Sequence, residues 1–321
     1  MKKTDYSSVH TLIAMDNRAV RTGLRQVLNA NGFGSFTEAV NEQSLQTAIE
    51  ESSFELIIIS SEINGFFVAP MVASIRNGRT HHHPFPIVIM MVGEGGQEYV
   101  HKVAECGADD IMLLPVAPGP TLDRVEGFAL WRRPFVVTMS FIGPDRRPAV
   151  HRPGTEKIKL VDVPNPIRES AKKMLAEERQ SEINMTKILL NFLRLERYSV
   201  QLRWFANAMR SMFQKNEIEL AKLTSFAEHI RYIVEDFPFR VQRPSSGISK
   251  ILTELLNSSD AIQHKGLVAE RRDILSMLGN CIVLAKMIDA LLDSASCTPG
   301  TDRDSGGIFG VREMETMVGV V

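Results

Sequence analysis

His81-His82-His83 place three adjacent imidazoles before Pro84, a chemistry suited to a transition metal. Neighbouring residues rarely converge on one ion, and no Cys or His partner lies nearby in sequence, so the run reads as an exposed loop. Gly93-Glu94-Gly95-Gly96 follows an apolar run and opens an amphipathic one, a setting in which free amides can cradle a phosphate. Glu94 would repel that anion and no Lys-Ser/Thr pair follows, so a plain turn is the better reading. Arg132, Arg133, Arg146, Arg147 and Arg152 form a basic cluster that includes PDRRP at 144–148. Paired guanidiniums suit docking on an acidic protein face. The second reading is an anion site for a nucleotide or nucleic acid. His229 and His264 lie in FAEHIRYIVED and AIQHKGLVAE, neither of which carries the His-x-x-Lys-Gly pattern of a phosphotransfer helix. That role is kept as an alternative. No Ser-His-Asp or Cys-His constellation is present, so no catalytic residue, cofactor or metal is expected.

The chain has 321 residues, 44% hydrophobic and 23% charged, an ordinary globular balance for about two domains. A net charge of −1 argues against wholesale polyanion binding. Cys106, Cys281 and Cys297 are too scattered for a disulfide framework or a zinc site. No apolar run is expected to approach the roughly 20 residues that span a bilayer. Met1-Lys2-Lys3 leads into polar Thr4–Ser8 rather than a signal-peptide core, so a cytoplasmic protein without membrane contact is expected. The charge is unevenly spread. Residues 1–130 hold 9 Lys/Arg against 15 Asp/Glu, a net of −6; residues 131–180 hold 11 against 6, a net of +5. Prolines are dense from 115 to 166, which disfavours helix there. Residues 131–165 therefore read as a basic, Pro-rich linker.

The elements before that linker alternate. Strands are expected at His10–Met15, Phe33–Thr37, Phe54–Ile59, Ile87–Met91 and Asp110–Leu114. Helices are expected at Arg18–Leu28, Ser44–Glu51, Phe66–Arg76, Gln97–Cys106 and Leu122–Leu130, from apolar residues at helical spacing. Strict β-α alternation implies an α/β fold, a doubly wound five-stranded parallel sheet covered by helices on both faces.

Beyond 165 only helical patterns appear. Asn165-Pro166 is a helix start, since Asn caps free amides and Pro suits the first turn. One helix is expected to run to about Gln214, followed by Ile218–Phe237, Ile248–Ile262 and Leu267–Leu292. Ile188, Phe192, Leu195, Ser199, Leu202, Ala206, Met209 and Phe213 are spaced 4-3-4-3-4-3-4, a heptad seam weakened at Ser199 and Ala206. Ile274, Leu278, Cys281, Ala285, Ile288 and Leu292 repeat the pattern. Residues 166–295 are expected to form an all-α bundle that self-associates through these seams, and 296–321 a disordered tail.

LIAMDN at 12–17, ELIIIS at 55–60, INGFFV at 63–68, PIVIMMV at 86–92 and GADDIMLLP at 107–115 resemble the receiver domain of two-component response regulators. The last segment is the most specific, and the likeness covers little more than a third of the chain. It implies a flavodoxin-like fold. It also implies a phosphorylation pocket in which an acidic pair binds Mg²⁺, an aspartate accepts phosphate, and a Thr/Ser and a Lys contact its oxygens. Carried over by position, the acidic pair becomes Asp16 and Asn17, the phosphoacceptor Ser60, the Thr/Ser Met91, the Lys Leu114, and the aromatic switch Ile111. Glu62 offers a carboxylate from the wrong place. The resemblance thus implies a degenerate pocket. The expected function is that of a phosphorylation-independent adaptor in bacterial signalling. It would bind signalling proteins through its fourth helix, fifth strand and fifth helix, and assemble as a homo-oligomer.

Overall fold

The computed structural model describes residues 5–93, 96–115, 117–146, 158–241, 244–265 and 271–296. The chain divides into two compact units, Met1–Lys187 and Ile188–Val321. In the first, β1 (Tyr6–Ala14), β2 (Phe33–Ala39), β3 (Leu56–Ser60), β6 (Ile87–Val92) and β7 (Asp110–Leu113) form a parallel sheet in the order β2-β1-β3-β6-β7. With the strands renumbered among themselves this is the flavodoxin-like order, with a topological switch between β1 and β3. The fold class read from the alternation is the one observed. Strands such as Leu56–Ile59 and Ile87–Val92 are buried along their whole length, because helices cover both faces. On one face lie α2 (Glu42–Glu51), α3 (Ala69–Arg76) and α4 (Gln97–Ala104), packed on Leu12, Ile57, Val88 and Met90. On the other, α1 (Arg18–Ala30), α5 (Pro118–Leu130) and α6 (Pro166–Ala171) cover Ile13, Ile58, Ile89 and Met91.

Several boundaries differ from expectation for identifiable reasons. Phe66 and Phe67 belong not to the third helix but to a small hairpin of β4 (Glu62–Ile63) and β5 (Phe66–Phe67). Asn64 and Gly65 turn it at φ of 50° and 81°, the turn chemistry that Asn-Gly favours. The helix starting at Pro166 stops at Ala171. Lys173 takes φ of 54°, and α7 (Ala176–Lys215) begins afresh, crossing from the first unit into the second.

The expected linker also gives way where it is described. Residues 131–146 and 158–165 belong to the first unit. Within them β8 (Phe135–Val137) and β9 (Ile142–Pro144) pair antiparallel, and Phe135 bridges to Val161. Gly143 lies against the turn at Gly107 so closely that a Cβ on Gly107 would meet the Ile142 carbonyl at 2.5 Å.

The extension is held by charge. The Asp109 carboxylate is buried between Arg76, whose Nη2 donates at 2.6 Å, and Arg132, whose Nε donates at 2.8 Å. The remaining guanidinium donors reach carbonyls. Arg76 donates to Gly107 at 2.8 Å, Pro84 at 2.7 Å and Pro86 at 2.8 Å; Arg132 donates to Phe85, Pro86 and Pro164. A Pro-Phe-Pro segment outside the sheet leaves carbonyls without ladder partners, and donor-rich guanidiniums satisfy them. Both cations also lie over the Phe135 ring, at 5.3 and 5.0 Å from its centre. Burial works to raise the Asp109 pKa, but the charges of Arg132 and Arg76 outweigh it and hold the carboxyl below its usual value.

In the second unit α8 (Leu220–Arg240), α9 (Ser246–Lys265) and α10 (Arg271–Ser296) pack in succession, and α7 from Ile188 onward is hydrogen-bonded to α8 and α10. Helix α8 carries Pro238 inside it and ends at Arg240, three residues past the expected end at Phe237. Tyr198 of α7 donates to Asp236 of α8 at 2.5 Å, and Arg240 donates to the same carboxylate at 2.7 Å. Ser199 donates to Asp289 of α10 at 2.5 Å, which fixes α7 against α10. Arg271–Ser294, with a mean hydropathy of 1.7, is long and apolar enough by length and composition to cross a membrane. The run-based reading missed it because single polar residues interrupt the apolar stretch. Its inner residues Ile274, Met277, Cys281, Leu284 and Ile288 are buried in the bundle. The expected tail lies outside the described residues.

Asp109→Asn leaves two buried guanidiniums without their counter-charge. It should cost about 3–5 kcal/mol, read as a lower urea midpoint at unchanged m-value. Arg133→Ala, one residue from Arg132 but on the surface, should stay within about 0.5 kcal/mol.

Candidate functional site

The carboxyl edge of the sheet is where a doubly wound fold places ligands. Here it is assembled from the ends of β1, β3, β6 and β7. Ser60 sits opposite Met91 in the ladder, and the Ser61 amide donates to the Met91 carbonyl at 2.8 Å. Met91 is fully buried, and Leu114 packs against the same core. Ile111 packs against the core on the opposite face of the sheet.

Asp16 is exposed, but its companion is occupied. Asn17 is the N-cap of α1, and its Oδ1 accepts from the amides of Ala19 at 3.0 Å and Val20 at 3.2 Å. Behind them Arg21 donates to the carbonyls of Met15 at 2.7 Å and Asp16 at 2.9 Å, and pairs with Glu38 at 3.2 Å. That guanidinium braces the end of β1 and is already satisfied. Glu62 stands exposed in the β4–β5 hairpin. Among the described residues, the strand ends present the Asp16 carboxylate, the Ser60 hydroxyl and the apolar Met91 and Leu114, with the Glu62 carboxylate in the adjoining hairpin. Among the described residues no group of three or more metal-ligating side chains gathers here or elsewhere.

One contact at this edge has no counterpart in the sequence reading. Tyr99 of α4 donates its hydroxyl to Ser61 Oγ at 3.0 Å, while its ring lies 5.7 Å from that of Phe67. It ties the first turn of α4 to the end of β3 and to the small hairpin. No motif announces it, because a Tyr at the apolar margin of a helix is ordinary.

Among the described residues the arginines of the cluster part: Arg132 turns inward, while Arg133 and Arg146 line one cleft. Arg132 is drawn inward by Asp109 and is only 8% exposed, so it is not available for docking or for an external anion. Arg146 is half-buried and donates to the Ala108 carbonyl at 2.7 Å. Arg133 is exposed, with its guanidinium 5.9 Å from the centre of the Trp131 ring. Arg147 and Arg152 lie outside the described residues.

Of the histidine run, expected as an exposed loop, only His81 is exposed, and His82 and His83 are partly buried. His82 faces the Glu50 carbonyl at 3.2 Å, while His83 Nδ1 accepts from the Phe85 amide at 3.1 Å. Gly96 serves as the N-cap residue of α4, and Glu94 and Gly95 lie outside the described residues. His229 and His264 are exposed, and His229 Nδ1 is 2.7 Å from the Ser225 carbonyl of the preceding turn.

The heptad seam faces inward within a single chain. Leu202 and Met209 are fully buried and Ile188 and Leu195 nearly so, while Phe192 and Phe213 are partly buried. Helices α8 and α10 of the same unit meet α7 along this stretch, at Tyr198–Asp236 and Ser199–Asp289, so the seam is buried within one chain. Heptad spacing signals a helix with one apolar stripe; it does not say whether the partner helix lies in the same chain.

No family model matches the sequence, and a search of curated proteins finds no match. Among solved structures, the response regulator DrrB of Thermotoga maritima is 20% identical with a TM-score of 0.33, over 37% of this chain and 52% of that one. The chain thus spans about half the length of that relative. A CheY-like receiver domain protein of Methanospirillum hungatei is 21% identical with a TM-score of 0.34, over 37% of this chain and 91% of that one. Full-length FixJ of B. japonicum is 14% identical with a TM-score of 0.34, over 87% of this chain and 98% of that one. The fold assignment itself rests on the strand order and register described above.

Leu202→Asp should collapse the bundle rather than dissociate an oligomer, read as loss of cooperative unfolding together with helical ellipticity. Burial, aided by the nearby charges of Arg132 and Arg76, holds His83 down to about 4, well below its ordinary 6.5. The folded chain resists the proton that the unfolded chain accepts. His83 therefore contributes stability that is present above pH 6.5 and is lost as the pH falls through about 4. Thermal unfolding followed from pH 7 downward should show this slope, and His83→Gln should flatten it.

Proposed function

We propose that the chain is an adaptor of the two-component signalling type, whose receiver-like unit acts without accepting phosphate. The observation that carries the reading is the composition of the carboxyl edge. Phosphoryl transfer needs clustered carboxylates for the metal and cationic or hydroxyl groups for the moving oxygens. Met91 and Leu114 stand where such groups would be, and Asn17 is committed to capping a helix. Without a polar group to draw inward at Met91, or a ring at Ile111 to follow it, the unit has no phosphate-driven switch of the kind the resemblance implies.

An adaptor needs a surface. On the side formed by α4, β7 and α5, Leu113 is 65% exposed and Leu130 is 83% exposed. Large apolar side chains on the edge strand and the adjoining helix end suit a protein partner better than a polar ligand. Self-association of the helical unit, with the inner seam already packed, falls to outward residues such as Val200 of α7 and Leu275 of α10.

Incubation with acetyl phosphate and Mg²⁺ should leave the intact mass unchanged. An acid-labile phosphoryl adduct on Asp16 or any other carboxylate would overturn the reading. Leu113→Asp combined with Leu130→Asp should abolish partner capture from native cells while leaving thermal unfolding within the wild-type range. Retention of every partner would remove this face from the proposal.

A further inference from the structure

A cleft of about 500 Å³ lies beside α5 where the 131–146 extension leaves the helix. That volume is in the range of small-molecule sites. The extension supplies Trp131, Arg133 and Arg146 to it; β7 and α5 supply Asp110, Asp123 and Arg124. Trp131 is 61% exposed, although an indole is among the side chains that gain most from cover. The charges are ordered by element. Arg124 lies 3.6 Å from Asp110, so those two offset each other, and Asp109 at the base is satisfied by Arg76 and Arg132. Arg133 and Arg146, both on the extension, have no carboxylate partner among the described residues, although Arg146 donates one bond to the Ala108 carbonyl at 2.7 Å. Arg133 donates only weakly to the Asp145 carbonyl, at 3.4 Å. Burial lowers the Arg146 pKa; Cys106, Asp109 and Asp110 oppose this, and the charge of Arg133 adds to the lowering. The two guanidiniums therefore feel each other.

We infer that this cleft binds a purine nucleoside monophosphate. The Trp131 indole would take the base by stacking, Arg133 and Arg146 the phosphate, and Asp123 or Asp110 the exocyclic amine. Each part of that ligand meets a group of matching chemistry. A ring stacks on an exposed aromatic face, a phosphate binds a pair of guanidiniums through charge-assisted hydrogen bonds, and an amine donates to a carboxylate. Inorganic phosphate alone satisfies only the cations and leaves the indole uncovered. The inference is independent of the adaptor reading, since the carboxyl edge of the sheet takes no part in it.

The two tryptophans are Trp131 and Trp204. In the full chain carrying Trp204→Phe, titration with AMP or GMP should quench Trp131 fluorescence saturably at submillimolar concentration. Calorimetric titration of the unaltered chain reads the same binding without relying on that substitution. Arg133→Ala with Arg146→Ala should weaken binding at least ~tenfold, as expected for loss of charge-assisted contacts, with thermal unfolding measured alongside. Trp131→Ala should weaken nucleotide binding while leaving any response to inorganic phosphate unchanged. Absence of saturable binding by calorimetry, equal affinity in the double-arginine variant, or equal affinity for inorganic phosphate would each overturn the inference.

Discussion

Asp109 lies between Arg76 and Arg132, sealed from water, and the shape of the first unit follows from that contact. A carboxylate taken out of water demands compensation, and each cation beside it demands more. The compensation comes from several parts of the chain. Arg76 closes α3, Asp109 precedes β7, Arg132 opens the extension, and the carbonyls of Pro84, Phe85, Pro86 and Pro164 absorb the remaining donors. The charge cluster therefore specifies where 131–165 must lie. It turns a segment rich in proline and arginine into part of the unit rather than a tether. Close packing of Gly143 on Gly107 belongs to the same arrangement, because the approach leaves no room for a Cβ.

At the carboxyl edge of the sheet the side chains are spent on structure. Asn17 caps α1, Arg21 braces β1 and pairs with Glu38, and Tyr99 holds Ser61. Met91 and Leu114 extend the apolar core to the rim.

The helical unit contains its own polar interior. Tyr198, Asp236 and Arg240 form a buried network between α7 and α8, and Asp289 accepts from Ser199 across the α7–α10 contact. Burial and the adjacent Asp236 push the Tyr198 phenol up, so it stays a donor at any ordinary pH. Such contacts select one pairing among apolar stripes that would otherwise slide. Partners within the chain therefore satisfy the seam residues Leu202 and Met209.

Local pattern alone determined the alternation of apolar and amphipathic runs, and hence the α/β class, the helical second half and the identities of the residues at the strand ends. Periodicity and composition carry that information because they depend on near neighbours. The Asn64-Gly65 hairpin was not read, because the apolar spacing of Phe66 onward fits a helix; its Asn-Gly turn chemistry is the local signal that could have found it. What only the tertiary structure decided is which charges meet. Arg132 and Arg133 are adjacent and chemically alike, yet one is buried against Asp109 and the other faces solvent. Asp109 comes from a distant part of the chain, and no local pattern encodes that pairing. The same holds for Tyr99 with Ser61, and for the inward turn of the heptad seam. Electrostatic and packing partners are set by proximity in space, which a linear pattern does not record.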